Sequence, residues 1–300
     1  MKTIAFIGFS SGWGAQVRET EKGPLSLYES RILSSLSLPW IWQETLLPLK
    51  TAQEVSLPPG DLTLPYIEDM CRRISSSIGT ALQNQQFPVV IGGDHTVAAG
   101  TWPGVIHHLK AKQKFGLIWI DAHMDAHTME TSFSHAYHGM PLAMLLGFGE
   151  PAMCNLLEEG PVLSPQHVCL IGVRSYEEGE ATLLQRLGVR IYFMKEVEER
   201  GFKAVFQEAL QLVKKGTKGF GLSIDLDGFD PEDAPGVGTP ASHGLKAREV
   251  LPVLSMAHND PLLKALEIVE YNPNLDKDGK TLFLIRDLLL NLLLTNKEKA

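Results

Sequence analysis

Short, almost wholly apolar segments recur along the chain, and several are followed by a loop and a segment with helical periodicity. Continuous apolar runs of this length are typical of parallel strands that are buried on both faces of a sheet. The predicted strands are residues 4–9, 87–91, 116–120, 167–171, 189–193, 219–224 and 263–269. Amphipathic helices are predicted where apolar residues recur at helical spacing. These helices are residues 66–83, 97–112, 201–215 and 248–258.

The alternation of strands and helices predicts an α/β fold with three αβα layers around a mostly parallel central sheet. Three segments rich in Gly, Pro, Ser or acidic residues, 10–24, 46–65 and 227–244, are interpreted as loops within this fold. None indicates an interdomain linker, so we expect residues 1–300 to form a single domain. The leucine-rich segment 281–295 favours a helix packed within the chain over a subunit contact.

Composition and charge narrow the range of partners. The 27 Lys and Arg residues are outnumbered by 35 Asp and Glu residues, and the formal net charge is -8. Without a basic stretch the chain is poorly suited to nucleic acid. The first apolar run is too short for a signal peptide or a membrane-spanning helix, so no membrane association is expected. Cys71, Cys154 and Cys169 are widely spaced and form no CxxC pair, which indicates a reducing cytoplasm.

Side chains that bind metals follow three of the predicted strands. The segment Trp119-Ile-Asp121-Ala-His123-Met-Asp125 runs from an apolar strand directly into acidic and imidazole groups. Strand alternation is expected to place Asp121, His123 and Asp125 on one side. Because ligands bind beyond the carboxyl ends of parallel strands, we expect the three strand ends to converge. The candidate ligands are His95, Asp121, His123, Asp125, Asp225 and Asp227.

The ligand types indicate the metal. Four Asp and two His suit Mn²⁺ better than a structural zinc ion, which favours Cys and His. More carboxylates than one ion needs indicate two ions that share carboxylates and activate a water near neutral pH. Each Asp-x-His or Asp-x-Asp pair alone more often caps a helix or fixes a turn. Gathered at one sheet edge, however, closely spaced buried carboxylates are costly without cations.

The ordered motifs resemble the ureohydrolase family, which comprises arginase, agmatinase and relatives that release urea from a guanidino group. The resemblance extends from about residue 3 to residue 295 and is closest to arginase. It is carried by Gly92-Gly-Asp-His95, Asp121-Ala-His-Met-Asp125, His138-Gly-Met-Pro141, Ser223-Ile-Asp-Leu-Asp-Gly-Phe-Asp-Pro231, Ala234-Pro-Gly-Val-Gly-Thr-Pro240 and Glu267-Ile-Val-Glu270-Tyr-Asn-Pro273.

The resemblance implies two Mn²⁺ ions per chain and a role for each ligand. One ion would be bound by His95 and Asp125, and the other by His123 and Asp227. The remaining pair, Asp121 and Asp225, would contact both ions.

Three residues would be catalytic by the same resemblance. Asp125 would orient the hydroxide between the ions, which would attack the guanidinium carbon. His138 would deliver a proton to the departing amine, a role that suits imidazole near pH 7. Glu270 would receive the guanidinium, because a planar cation and a carboxylate can pair through two parallel hydrogen bonds.

The substrate-binding end departs from arginase. His127 stands where arginases usually carry Asn, and Ser134-His-Ala136 stands where they carry Ser-Gly-Asn. Glu177 matches loosely an acid that helps to hold the α-amino group. His127 and Ser134 retain groups that could hydrogen-bond a carboxylate.

The leading hypothesis is hydrolysis of L-arginine to ornithine and urea, with a small guanidino compound as the only partner besides copies of the chain. The alternatives are agmatine, guanidinobutyrate or formiminoglutamate as substrate. A single-zinc deacetylase and a non-catalytic binding protein are further rivals, which the full two-metal ligand set disfavours. The family resemblance also implies a homo-oligomer, either a trimer or a hexamer.

Overall fold

One parallel sheet of eight strands organises the part of the chain that this computed structural model describes, which is residues 2–50, 55 and 57–294. The strand order is β2-β1-β3-β8-β7-β4-β5-β6, and every neighbouring pair is parallel. The strands are β1 (Ile4–Phe9), β2 (Trp40–Leu46), β3 (Phe87–Gly92), β4 (Gly116–Ile120), β5 (Val168–Val173), β6 (Arg190–Phe193), β7 (Phe220–Asp225) and β8 (Leu263–Val269).

Helices cover both faces of this sheet. They are α1 (Gly23–Glu29), α2 (Leu64–Gln83), α3 (Ala98–Leu109), α4 (Pro141–Leu145), α5 (Pro151–Cys154), α6 (Glu178–Leu187), α7 (Met194–Arg200), α8 (Phe202–Lys214), α9 (Ala247–Leu254) and α10 (Lys280–Leu293). The apolar side chains of α2 to α6 belong to one buried cluster, and those of α1 and α7 to α10 belong to a second. The two clusters lie on opposite faces of the sheet and give the predicted three-layer fold.

Alternation along the buried strands separates the two cores. In β1, Ala5 and Ile7 belong to the first cluster, whereas Ile4 and Phe6 belong to the second. Successive side chains of a strand point to opposite faces, so a strand between two helical layers must be apolar at every position. This requirement explains why the inner strands stand out as continuous apolar runs in the sequence.

All seven predicted strands are confirmed, with small shifts at their ends, but β2 is absent from the prediction. This strand lies at the edge of the sheet, and its residues are mostly half-buried or exposed. Ile41, for example, is 40% exposed. A strand that needs only partial burial can carry polar side chains. It therefore lacks the continuous apolar run by which the other strands are predicted.

The four predicted helices are also confirmed, and their ends reflect local backbone geometry. The helix predicted at 97–112 ends at Leu109, because Lys110 adopts a left-handed conformation with φ of 49°. The helix predicted at 248–258 gives way after Leu254 to a 3₁₀ turn, Ser255–Ala257. Pro252 lies in its last turn and lacks the amide hydrogen of a regular helix.

All three predicted loops overlap regular structure, and the segment 227–244 begins within a 3₁₀ helix, Leu226–Gly228. The segment 10–24 includes a 3₁₀ helix, Arg18–Lys22, and the start of α1. The segment 46–65 overlaps the first residues of α2, and its residues 51–54 and 56 lie outside the described residues. The predicted start of α2 at residue 66 is two residues late. The predicted loop includes Pro65, although proline fits the first turn of a helix.

The C-terminal leucines pack within the chain. Leu284, Leu288 and Leu289 of α10 are buried in the second cluster, as expected for a helix that finds its core in its own chain. Residue 295, the last of the predicted segment, lies outside the described residues. Among the described helices, none combines the length and apolar composition needed to cross a bilayer.

A close approach between β7 and α3 gives a test of this packing. A Cβ atom at Gly221 would lie 2.0 Å from Cζ3 of the fully buried Trp102. We therefore expect Gly221→Ala to lower the free energy of unfolding by about 1–3 kcal/mol or more. The control is Gly79→Ala in α2, where a Cβ meets no atom within 4 Å and helix propensity should add ~0.5–1 kcal/mol. Urea unfolding measures both, and a Gly221→Ala protein as stable as the parent would contradict this packing.

Candidate metal centre and cavity

Four adjacent strands in the middle of the sheet bring the candidate residues to one edge. His95 follows β3, Glu270 follows β8, Asp225 ends β7 and Asp121 follows β4. These strands are neighbours in the order β3-β8-β7-β4 and run parallel. Their carboxyl ends therefore open on the same side, where ligands bind in sheets of this kind.

A first group of ligand atoms surrounds the ring of His95. Its Nδ1 atom lies 2.9 Å from Asp125 Oδ2, 3.0 Å from Asp225 Oδ2 and 3.3 Å from Asp121 Oδ2. All four residues are buried. Despite these distances, Nδ1 has no hydrogen-bond partner of acceptable geometry among the described residues. Donor atoms that converge without bonding each other fit the coordination shell of a shared cation.

A second group of ligand atoms adjoins the first. His123 Nδ1 lies 3.2 Å from Asp227 Oδ2 and 3.5 Å from Asp121 Oδ1. Asp121 belongs to both groups, with one carboxylate oxygen facing each histidine. Asp225 belongs to the first group. The six candidate ligands thus form two adjoining sets that share a carboxylate.

Two Asp side chains fix the turns that present the ligands. The backbone N–H of His123 donates to Asp121 Oδ1 at 2.6 Å, and that of Asp227 donates to Asp225 Oδ1 at 2.8 Å. Such side-chain bonds to the amide two residues ahead stabilise a turn directly after a strand. The Asp-x-His and Asp-x-Asp pairs can therefore fix turns and also offer metal ligands.

The prediction that strand alternation orients Asp121, His123 and Asp125 is wrong. Strand β4 ends at Ile120, and the three residues lie in the following loop. Asp125 reaches the first group because its backbone is left-handed, with φ of 50°. Asp adopts the left-handed conformation more readily than most residues do. This conformation is nevertheless uncommon outside sites where the surrounding fold enforces it.

Burial and mutual repulsion shift the pKa values of the cluster. Burial raises the pKa of Asp125 to about 6, and the charge of Asp121 adds to this shift. Burial likewise raises the pKa of Asp225 and of Asp227. For His95, burial lowers the pKa, but the close approach of the carboxyl groups of Asp121, Asp125 and Asp225 outweighs burial and raises it. Metal ions bound at such a cluster would therefore compete with protons for the same groups.

His138 and Glu270 form a pair beside the first group. His138 Nδ1 lies 3.0 Å from Glu270 Oε1, which also accepts the backbone N–H of His95 at 2.9 Å. Burial lowers the pKa of His138, but its hydrogen bond to Glu270 and nearby negative charges raise it to about 9. The other oxygen, Glu270 Oε2, is buried and has no hydrogen-bond partner among the described residues. Glu270 therefore keeps one unpaired carboxylate oxygen, although its side chain does not line the adjoining cavity.

A cavity of about 250 Å³ opens onto the cluster. It is lined by the ligands His123, Asp125, Asp225 and Asp227, by His138, and by the predicted substrate-binding residues His127, Ser134 and Glu177. No Lys or Arg of the described residues lines it. An acidic cavity of this size suits a small cationic substrate.

The predicted substrate-binding residues form a hydrogen-bonded group in this cavity. His127 Nε2 lies 2.5 Å from Glu177 Oε2, and its Nδ1 lies 3.1 Å from Thr131 Oγ1. The hydroxyl of Ser134 accepts the backbone N–H of Ala136 at 3.2 Å. Ala136 lines the cavity but offers no polar side-chain atom.

Glu180 adjoins this group and lines the same cavity, although it is not among the residues predicted from the sequence. Glu180 Oε1 accepts the backbone N–H of Glu177 at 3.0 Å and lies 3.6 Å from His127 Nε2. Burial raises its pKa to about 7. In the structure Glu177 and Glu180 form a capping box at the start of α6, with Glu in place of the usual Ser or Thr at the N-cap, so only the three-residue spacing could have indicated Glu180. Other lining residues missed from sequence are Gln16, Ser132, Phe133, Ser175 and Thr239.

The chain is similar to known proteins over nearly its whole length. The profile of the Arginase family matches residues 2–295. An arginase from Bacillus caldovelox is 38% identical over 286 residues, which are 94% of this chain and 94% of that protein. The crystal structure of arginase from Bacillus subtilis has a TM-score of 0.89 at 33% identity and covers 97% of this chain and 98% of its own. Entamoeba histolytica arginase in complex with L-ornithine has a TM-score of 0.87 at 28% identity and covers 96% and 99%.

The similarity to arginases in sequence and in fold thus extends over nearly the whole chain and is not confined to one motif. The family's members are hydrolases that act on C–N bonds of linear amidines. The chain belongs to the arginase family.

Proposed function

We propose that this protein is a binuclear manganese hydrolase that converts L-arginine to ornithine and urea. The observation that carries the proposal is the buried carboxylate of Glu270, which keeps one oxygen unpaired among the described residues beside two ligand groups. Family membership and the likeness to an arginase solved with L-ornithine support arginine as the substrate.

The six ligands fit two divalent cations. One ion would be held by His95 and Asp125, the other by His123 and Asp227, and Asp121 would contact both. Asp225 lies in the first group, and its contact with the second ion remains a prediction. Oxygen and imidazole donors suit Mn²⁺. When bound, two such ions lower the pKa of water towards neutrality and stabilise developing negative charge.

Glu270 would receive the guanidinium group. Its Oε1 atom accepts the backbone N–H of His95 and contacts His138, which leaves Oε2 to accept a substrate N–H. A carboxylate and a planar guanidinium form charge-assisted hydrogen bonds that also fix orientation. The guanidinium carbon would thereby lie beside the carboxylate of Asp125, whose role would be to orient the attacking water.

His138 would deliver the proton that the leaving amine needs. It lines the cavity, and its pKa of about 9 in this charged environment keeps a proton available near neutral pH. The contact with Glu270 holds its ring in place, which is a condition for efficient proton transfer.

The far end of the cavity would bind the amino-acid portion of arginine. Glu177 would accept the α-ammonium group, while His127 and Ser134 would hydrogen-bond the α-carboxylate. Ala136 supplies no amide there, and His127 already contacts Glu177. These two departures keep agmatine, guanidinobutyrate and formiminoglutamate as alternative substrates.

Three further properties belong to the proposal. Residues 1–300 would form a single domain, which the one continuous sheet supports. The protein would work in the cytoplasm, since its three cysteines are free and two of them are buried. It would assemble as a trimer or hexamer, as the family resemblance implies.

A substrate panel tests the proposed reaction. Protein loaded with Mn²⁺ should turn over L-arginine with release of urea, at a kcat/KM above that for agmatine or guanidinobutyrate. Loss of formiminoglutamate should be followed in parallel. No turnover of arginine alongside strong turnover of another compound would contradict the arginase assignment, although it would leave the ureohydrolase chemistry intact.

Replacing His138 tests the proton transfer. Asn in its place can still hydrogen-bond Glu270 but cannot transfer a proton, so His138→Asn should lower kcat by roughly 10²–10⁴-fold. Its KM and manganese content should change little. The matched control is His243→Asn, at an exposed histidine outside the cavity lining, which should retain full kcat. A His138→Asn protein with the kcat of the parent would exclude this role.

A further inference from the structure

A hydrogen-bonded chain lies behind His95, on the side of the ring away from the other ligands. His95 Nε2 is 2.9 Å from the hydroxyl of Ser223, and this hydroxyl donates to Glu267 Oε1 at 2.7 Å. Ser223 and Glu267 are both fully buried. Neither belongs to a ligand group or lines the cavity.

The sheet itself fixes this chain. Ser223 and Glu267 are register partners on the adjacent strands β7 and β8. The ring of His95 stacks on the indole of Trp119, with ring centroids 4.2 Å apart. The three side chains therefore have little freedom to rearrange, and their hydrogen-bond directions follow from which atoms carry protons.

The direction of the chain determines the tautomer of His95. A serine hydroxyl has one hydrogen, and that of Ser223 is directed to Glu267. Towards His95 the hydroxyl can then only accept, so the imidazole must carry its proton on Nε2. Nδ1 is left with a lone pair, and this atom faces Asp121, Asp125 and Asp225.

A role in fixing the tautomer of His95 would explain why Glu267 is buried. A carboxylate is costly to bury without an ionic partner, and the polar groups beside Glu267 other than His95 are neutral: the hydroxyls of Ser223 and Thr101 and the indole of Trp102. Its contact with the imidazole is indirect, since Oε1 lies 3.9 Å from His95 Nε2. An apolar side chain would fill the same place at lower cost if packing were the sole role.

We propose that Ser223 and Glu267 are positioning residues that hold His95 in the tautomer whose Nδ1 binds a metal ion. This inference rests on the proposed metal centre and extends it to residues outside the ligand set. Partners that orient a metal-binding histidine contribute about 10–100-fold to metal affinity. The effect should be confined to the ion of the first group, because Ser223 and Glu267 are linked to His95 and not to His123.

Two substitutions interrupt the hydrogen bonds from His95 to Ser223 and Glu267 at different points. Ser223→Ala removes the acceptor for the imidazole N–H, whereas Glu267→Leu lets the serine hydroxyl turn and donate to His95, which favours the wrong tautomer. Glu267→Gln keeps an acceptor of the same shape and serves as the conservative variant. Ser75→Ala, at a buried serine of α2 away from the site, controls for the loss of a buried hydroxyl.

The experiment is a Mn²⁺ titration of each full-length protein, combined with metal analysis after gel filtration and thermal unfolding of the metal-free form. Ser223→Ala and Glu267→Leu should lose about 10–100-fold in affinity for one ion and keep the second. Glu267→Gln should stay within a few-fold of the parent, and Ser75→Ala should match it.

Three outcomes would overturn the inference. Two ions bound at parental affinity in both Ser223→Ala and Glu267→Leu would show that the chain has no influence on the metal. Equal loss of both ions, together with a lowered melting temperature of the metal-free protein, would show a merely structural role. Failure of the parent itself to bind two ions would instead refute the proposed metal centre on which the inference rests.

Discussion

The site depends on the close approach of four buried Asp carboxylates, Asp121, Asp125, Asp225 and Asp227. Two unit charges 4 Å apart repel by about 4 kcal/mol at an effective dielectric constant of 20. None of the Lys or Arg ion pairs in the described residues reaches these groups. Burial and this repulsion raise the pKa of Asp125, Asp225 and Asp227. Such a cluster could hold metal ions, and the proposed hydrolysis would depend on them.

The sheet makes this approach possible without a specialised domain. Its inner strands are fixed by two apolar cores, so their carboxyl ends lie at set distances from one another. The same strands supply residues with different roles at different depths. Glu267 within β8 contacts His95 through Ser223, and Glu270 follows the same strand. One short segment of sequence would therefore serve both the proposed metal and the guanidinium group.

Sequence patterns predicted the parts of the molecule whose physical cause is local. The inner strands are apolar because both faces are covered, and the ligands follow them directly. Other features depend on tertiary context. The edge strand β2 needs no continuous apolar run, the left-handed Asp125 is set by the loop around it, and the pairing of Ser223 with Glu267 arises from strand register. Glu180 is an intermediate case, since its capping spacing is visible in the sequence.

The central claim is that two manganese ions share the carboxylate of Asp121. A crystal structure of the Mn²⁺-loaded protein, with anomalous diffraction measured at the manganese edge, tests it most directly. The account predicts two peaks roughly 3.5–4 Å apart, one beside His95 and one beside His123, with Asp121 between them. A single peak, or two peaks that Asp121 does not bridge, would contradict it.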